Sequence, residues 1–140
     1  MKHLIIKRSE WARKTKQMHD NGPIVKNSLL SPTNNERCCM GFDAHYVCGI
    51  PNNLLAHVGY PSDIGLNHLC SIPTQEFCSI PTKEFYSFRK VANLETFLGQ
   101  TNDRNFTDLY SWVNSVSDEE QEKIIARLYS LANYTVEFVD

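Results

Sequence analysis

The sequence predicts an α+β fold: a single domain over residues 1–140, with a small, mostly antiparallel sheet that includes both terminal strands and packs against four to six helices. Three observations predict it. A short, partly β-branched apolar run, Leu4-Ile5-Ile6, opens the chain, and an alternating run, Tyr134 to Val139, closes it. Between them, the last third carries apolar residues at 3–4 spacing, the mark of helices with one buried face. A length of 140 residues suits one domain, and 41% hydrophobic with 11% aromatic residues supply bulk for a core. That composition excludes disordered and collagen-like chains. No apolar run approaches the roughly 20 residues of a membrane span, and Leu4-Ile5-Ile6 is too short for a signal peptide's apolar region. A soluble, intracellular protein is the expectation.

His3 to Lys7 reads as the first strand. Ser9 can cap a helix bearing Trp11 and Ala12, which must stop by Asn21-Gly22-Pro23, a turn pair joined to a helix breaker. Ile24 to Leu30 is a short extended piece, and Ser31-Pro32-Thr33-Asn34-Asn35 is a turn expected to close a hairpin. Cys38, Phe42 and Tyr46 share an i, i+4, i+8 stripe, so a helix is expected from near Cys39 to Gly49, with Pro51 as its stop. Asn52 can cap a second short helix, Asn53 to Val58, and 59–63 is a turn. Asn102 or Asn105 can cap a helix carrying Phe106, Leu109, Tyr110, Trp112, Val113 and Val116. Ser117-Asp118-Glu119-Glu120 is a capping box opening one more helix, with Ile124, Ile125, Leu128 and Leu131 on its buried stripe. Asn133 can end that helix in a left-handed conformation. In the closing strand, Tyr134, Val136 and Phe138 face one side.

Residues 70–85 hold a tandem duplication. Cys-Ser-Ile-Pro-Thr-Gln-Glu-Phe is followed by Cys-Ser-Ile-Pro-Thr-Lys-Glu-Phe. A period of eight matches no solenoid, and the Pro in each copy excludes a continuous helix or central strand. A surface loop is expected, with adaptable recognition as its functional reading.

A net charge of −2 hides an asymmetry. Residues 1–37 balance at +5 and residues 101–140 at −5. Head and tail side by side would neutralise each other; a free head could meet phosphate. The head lacks the density of a nucleic-acid arm, so nucleic acid is disfavoured, although Lys7, Arg8, Arg13, Lys14 and Lys16 with Trp11 would suit phosphate contact and stacking. Five cysteines without a leader read as reduced thiols.

Candidate chemistry is sparse. Cys39, His45 and Cys48 read C-x5-H-x2-C, and His57, His68 and Cys70 could complete a zinc set, but no second paired-ligand motif occurs. Buried thiols acting as small hydrophobes are the expectation, so no metal and no cofactor is assigned. Cys39 near a helix N-terminus, with His57 or His68 as base, is the candidate for thiol catalysis; His45 is the second candidate. Phosphate-loop, dinucleotide, nucleophile-elbow and zinc-protease signatures are absent.

Glu36-Arg37-Cys38-Cys39-Met40-Gly41-Phe42 resembles the G-K-x-C-C-L-G box of small proteins common in bacteriophage genomes. In those proteins a helix with a further Cys follows, as Cys48 does here. Asn102-Asp103-Arg104-Asn105-Phe106-Thr107-Asp108-Leu109 is similar to their Asn-Asp…Phe box, with a shorter gap before the Phe. The opening Arg8-Ser9-Glu10-Trp11 and the closing Val136 to Asp140 resemble relatives' termini. The resemblance implies a phage or prophage origin and a place in the bacterial cytoplasm; it carries no catalytic residue. It implies an accessory protein that works by binding: occupying a host defence protein, or sequestering a nucleotide-type small molecule. A homo-oligomer is compatible with that reading, and no membrane is involved. Phosphate contacts are then expected from Arg37, Arg89, Lys90 or Arg104, with Asn102 and Asp103 facing the ligand or capping their turn. The alternatives are a small hydrolase or nucleotide-cleaving enzyme using Cys and His, and a DNA-binding regulator.

Overall fold

Residues 1–21, 28–73, 93–104 and 117–140 are described by the structure, a computed structural model. The two termini do pair. Strand β1, Lys2–Lys7, lies against β2, Tyr134–Val139, in register from Lys2↔Tyr134 to Lys7↔Val139. The pairing is parallel, and these two strands form the one sheet among the described residues, so the mostly antiparallel sheet is corrected. The reason lies in the last turn. Helix α4, Asp118–Ser130, ends in a tight turn with Asn133 at φ +65°, the left-handed position expected for it. This turn folds β2 back along α4, in the direction in which β1 already runs. Parallel strands need a long crossover, and here the crossover is the whole chain between them.

Of the hairpin expected over 24–35, residues 22–27 lie outside the described residues; across its turn the Ser31 amide donates to the Glu36 carbonyl at 2.8 Å and the Cys38 amide to the Ser28 carbonyl at 3.4 Å, without regular strands on either side. Leu30 bridges Ala56, and Trp11 bridges Arg37, both in parallel. The second bridge also displaces the helix expected from Ser9. The Ala12 amide donates to the Arg37 carbonyl at 2.6 Å and the Arg37 amide to the Glu10 carbonyl at 2.9 Å, which holds residues 10–12 extended. Only a 3-10 turn at Arg8–Glu10 and helix α1, Lys16–Asn21, remain of it.

Helix α2, Cys39–Phe42, continues into a π turn at Asp43–Val47, and Gly49 follows at φ +75°, so the expected end at Gly49 holds. Gly41 is required by packing: a Cβ there would sit 1.9 Å from the Leu29 carbonyl oxygen. Short 3-10 turns follow at Asn52–Leu54 and Pro61–Ile64. Helix α3, Leu94–Asp103, is capped by the Asn93 side chain, which accepts from the Thr96 amide at 2.9 Å. It ends where the sequence suggested a beginning, and the stretch from 105 to 116 lies outside the described residues. Ser117 caps α4 as expected, accepting from the Glu120 amide at 3.1 Å.

Leu4 and Ile6 from β1, Cys39, Met40 and Phe42 from α2, Leu94, Phe97 and Leu98 from α3, and Ile125, Leu128 and Tyr129 from α4 meet in one core. Four α-helices are present among the described residues. Of the duplicated segment only residues 70–73 are described.

Candidate functional site

Head and tail are neighbours, as their charges suggested. Arg8 pairs with Glu122 at 2.7 Å and with Asp140 at 2.9 Å, and Arg13 pairs with Glu122 at 2.8 Å. Arg13 also donates to Gln121 Oε1 and to the Asp118 carbonyl. Trp11 is interior, with its ring face covered by the Arg13 guanidinium 4.2 Å from the centroid. It has no open face for stacking a base.

The Asn-Asp box is interior too. Asn102 Oδ1 accepts from the Trp11 indole N–H at 2.6 Å and from the Cys39 amide at 2.9 Å; its Nδ2 donates to the Ala12 carbonyl and to Asp103 Oδ1. Arg104 is fully buried, at φ +50°, donating to the Lys14 carbonyl and to Asp118. These side chains join the head, α2, α3 and α4, which is a capping and bracing role. Arg89 and Lys90 lie outside the described residues.

Cys38 and Cys39 are core residues. Burial, with the charge of Asp103 behind it, pushes the Cys38 thiol up to about 12, and burial raises Cys39 likewise. Cys39 Sγ faces the Leu98 carbonyl at 3.8 Å. His45 bonds the Ile50 carbonyl through Nδ1 at 2.7 Å. Cys39 and His45, the two catalytic candidates, each have other partners.

A different titratable cluster exists. The π turn widens the helix so that the Cys48 amide donates back to the Asp43 carbonyl at 2.9 Å, and Cys48 Sγ comes 3.9 Å from Asp43 Oδ1. Buried Leu69 anchors the loop that brings His68 Nε2 within 2.7 Å of Asp43 Oδ2 and 3.8 Å of Cys48 Sγ. Tyr134, at the start of β2, donates its hydroxyl to Asp43 Oδ1 at 2.7 Å, which satisfies the buried carboxylate. Burial and the neighbouring Asp43 charge push the Cys48 thiol up to about 11, with Lys2 opposing. Burial, followed by the bond to Asp43, raises Tyr134. Thiol and carboxylate meet the same ring nitrogen. A nucleophile–base–orienter relay uses the two nitrogens separately, so this geometry does not activate Cys48. Cys48 and His68 were on the sequence's roster of zinc candidates; Asp43 was missed, because a lone Asp inside an apolar helix carries no spacing signal.

The second feature is a groove of about 330 Å³ lined by His3, Ile5 and Lys7 on the outer side of β1 and by Tyr46 and Val47 on the π turn. Its volume falls within the range of small-molecule sites. Tyr46 is 55% exposed, yet its ring is backed: it stacks on Phe42 with centroids 6.2 Å apart, and the Arg37 guanidinium lies 5.3 Å from its centroid. Arg37 is 6% exposed; it bonds Asn52 through Nη2, while its other terminal nitrogen, Nη1, is buried with no hydrogen-bond partner. Of the residues expected to contact a ligand, Arg37 is thus placed against a wall of the groove. Alternation along β1 could have suggested His3, Ile5 and Lys7 as one outward face, but not what faces them.

No family model, curated protein or solved structure matches the chain. Among the described residues, no helix is long and apolar enough to cross a membrane.

Proposed function

We propose that the protein acts by binding, as a phage-encoded accessory protein that counters a bacterial host's defence by sequestering a nucleotide-type ligand in the host cytoplasm. The observation that carries the binding mode is the Tyr46 ring, 55% exposed beside the groove and in contact with Phe42 and Arg37. A base can stack on such a ring, and its contacts with Phe42 and Arg37 lower the cost of ordering it. Lys7 supplies charge for phosphate and His3 a second polar contact, and Ile5 with Val47 supply the apolar floor. The phage context rests on the resemblance of the double-Cys and Asn-Asp boxes. Thiol catalysis has less support, since Cys38 and Cys39 are interior and the histidine nearest Cys48 shares its nitrogen with Asp43. The DNA-binding alternative loses Trp11 as a stacking group and Arg8 and Arg13 to ion pairs.

The test is calorimetric titration with a panel of mononucleotides and cyclic di- and trinucleotides. At least one member is expected to bind, and Tyr46→Ala is expected to weaken it by about 5–150-fold, the worth of one base stack. Absence of binding across the panel, or affinity unchanged in Tyr46→Ala, overturns the reading.

A further inference from the structure

We propose that Asp43, Cys48 and His68 form a binding site for a divalent ion of the zinc class, with three protein ligands and a fourth position left for solvent or an exogenous donor. The three donor atoms already converge. Asp43 Oδ2 and His68 Nε2 are 2.7 Å apart, Cys48 Sγ lies 3.8 Å from Nε2, and it lies 3.9 Å from the second carboxylate oxygen. All fall within 4.8 Å of one another. Zinc binds thiolate at about 2.3 Å and imidazole or carboxylate at about 2.1 Å, so a tetrahedron sets its ligand atoms about 3.3–3.6 Å apart. Seating the ion therefore asks for an opening of the Asp43–His68 contact by about 0.7 Å and an approach of the sulfur. The donor set, one nitrogen, one sulfur and one oxygen, suits zinc and disfavours the hard cations calcium and magnesium, which take oxygen only.

The surroundings suit ligation. Asp43 Oδ1 keeps the Tyr134 hydroxyl at 2.7 Å, which leaves Oδ2 to the ion and orients the carboxylate from the outer shell. Asp43 and Cys48 are fixed by the π turn, whose Cys48 amide is tied to the Asp43 carbonyl at 2.9 Å. Only His68 comes from a separate loop, and its side chain is 25% exposed, which gives the ion a path from solvent. On binding, the thiol proton and the proton between His68 Nε2 and Asp43 Oδ2 both leave to solvent, and the neutral imidazole carries its proton on Nδ1, so that Nε2, Oδ2 and the thiolate all face the ion. The inference stands apart from the nucleotide reading, whose groove uses other residues.

The experiment is titration of chelator-treated full-length protein with Co²⁺ alone, followed by Zn²⁺ displacement. The expected result is one equivalent of Co²⁺ with the visible absorption of a tetrahedral ion and a thiolate-to-cobalt charge-transfer band, both lost on adding one equivalent of Zn²⁺. Cys48→Ser is expected to abolish the charge-transfer band. His68→Gln, at a partly exposed position that does not anchor the core, is expected to weaken Zn²⁺ binding by at least about 10–100-fold, and Tyr134→Phe by a similar or smaller factor. Circular dichroism of each variant shows whether the fold persists. Absence of stoichiometric binding at micromolar metal overturns the proposal. So does a charge-transfer band that survives Cys48→Ser, or an affinity unchanged in a folded His68→Gln, since either places the ion elsewhere.

Discussion

The Trp11 indole donates its N–H to Asn102 Oδ1 across 2.6 Å of buried interior, joining positions 91 residues apart. The same oxygen takes the Cys39 amide, and the Asn102 amide group supplies the Ala12 carbonyl. One side chain thus satisfies polar groups from the head and from the first turn of α2. Asn102→Ala leaves the Trp11 N–H, the Cys39 N–H and the Ala12 carbonyl without this partner. The two buried N–H groups cost about 1–3 kcal/mol each when orphaned, so a loss of about 2 kcal/mol or more is expected, read as a lower urea midpoint with an unchanged slope. A loss below about 1 kcal/mol contradicts the bracing role given to Asn102.

Two glycines should separate cleanly. A Cβ at Gly41 meets the Leu29 backbone oxygen at 1.9 Å, and backbone there cannot yield without moving the core. Gly41→Ala is expected to cost about 3 kcal/mol or more. At Gly99, inside α3, the nearest atoms belong to the Tyr60 ring, at 3.0 Å, and to Met40, at 3.4 Å. These are side chains, and alanine gains about 1 kcal/mol of helix propensity over glycine, so Gly99→Ala is expected to be near neutral. Thermal unfolding of the two variants checks the contrast.

The head–tail ion pairs set an acid limit. The Arg8 guanidinium holds Glu122 below the usual carboxylate range; burial opposes it and Arg13 assists. A carboxyl lowered in the folded state stabilises fully above its unfolded value of about 4.3, and that contribution fades as pH falls through the lower folded value. Glu122→Gln is expected to lose about 1 kcal/mol near neutral pH and progressively less as pH falls below the unfolded value. Urea midpoints of both proteins across that range should therefore converge in acid. A constant gap removes Glu122 as the titrating group.

Thiol labelling follows burial. Cys38 and Cys39 are interior and their thiols are pushed up, whereas Cys70 is partly exposed and Cys48 sits at about 11. Alkylation of the native protein near pH 8, mapped by peptide mass spectrometry, is expected to modify Cys70 well before Cys48 and to spare Cys38 and Cys39 until unfolding. Early labelling of Cys39 would put its sulfur at an accessible site and revive thiol catalysis.

Local signals in the sequence were legible where one residue's chemistry decides the backbone. The Ser117 cap, the left-handed Asn133, the stop at Gly49 and both terminal strands are of this kind. Strand direction was not legible, because it follows from how α4 turns back on itself and leaves no periodicity. The helix expected at Trp11 failed for a related reason: the Ala12 amide and the Glu10 carbonyl both pair with Arg37, in a bridge that only the folded chain supplies. Helix α3 was legible and missed; Asn93 caps it, and Leu94, Phe97, Leu98 and Thr101 recur at helical spacing. The Asp43 cluster was legible in part. Cys48 and His68 stood out by residue type, but a π turn and a loop pinned by Leu69 bring them to Asp43.

Nitrogen-15 correlation spectra of the labelled protein, recorded while the tightest nucleotide of the panel is added, test the binding mode most directly. Saturable shifts centred on His3, Ile5, Lys7, Tyr46 and Val47, with Asn102 and its partners still, are the result expected of a ligand seated against the backed tyrosine. Shifts confined to Asp43, Cys48 and His68, or none at all, would contradict it.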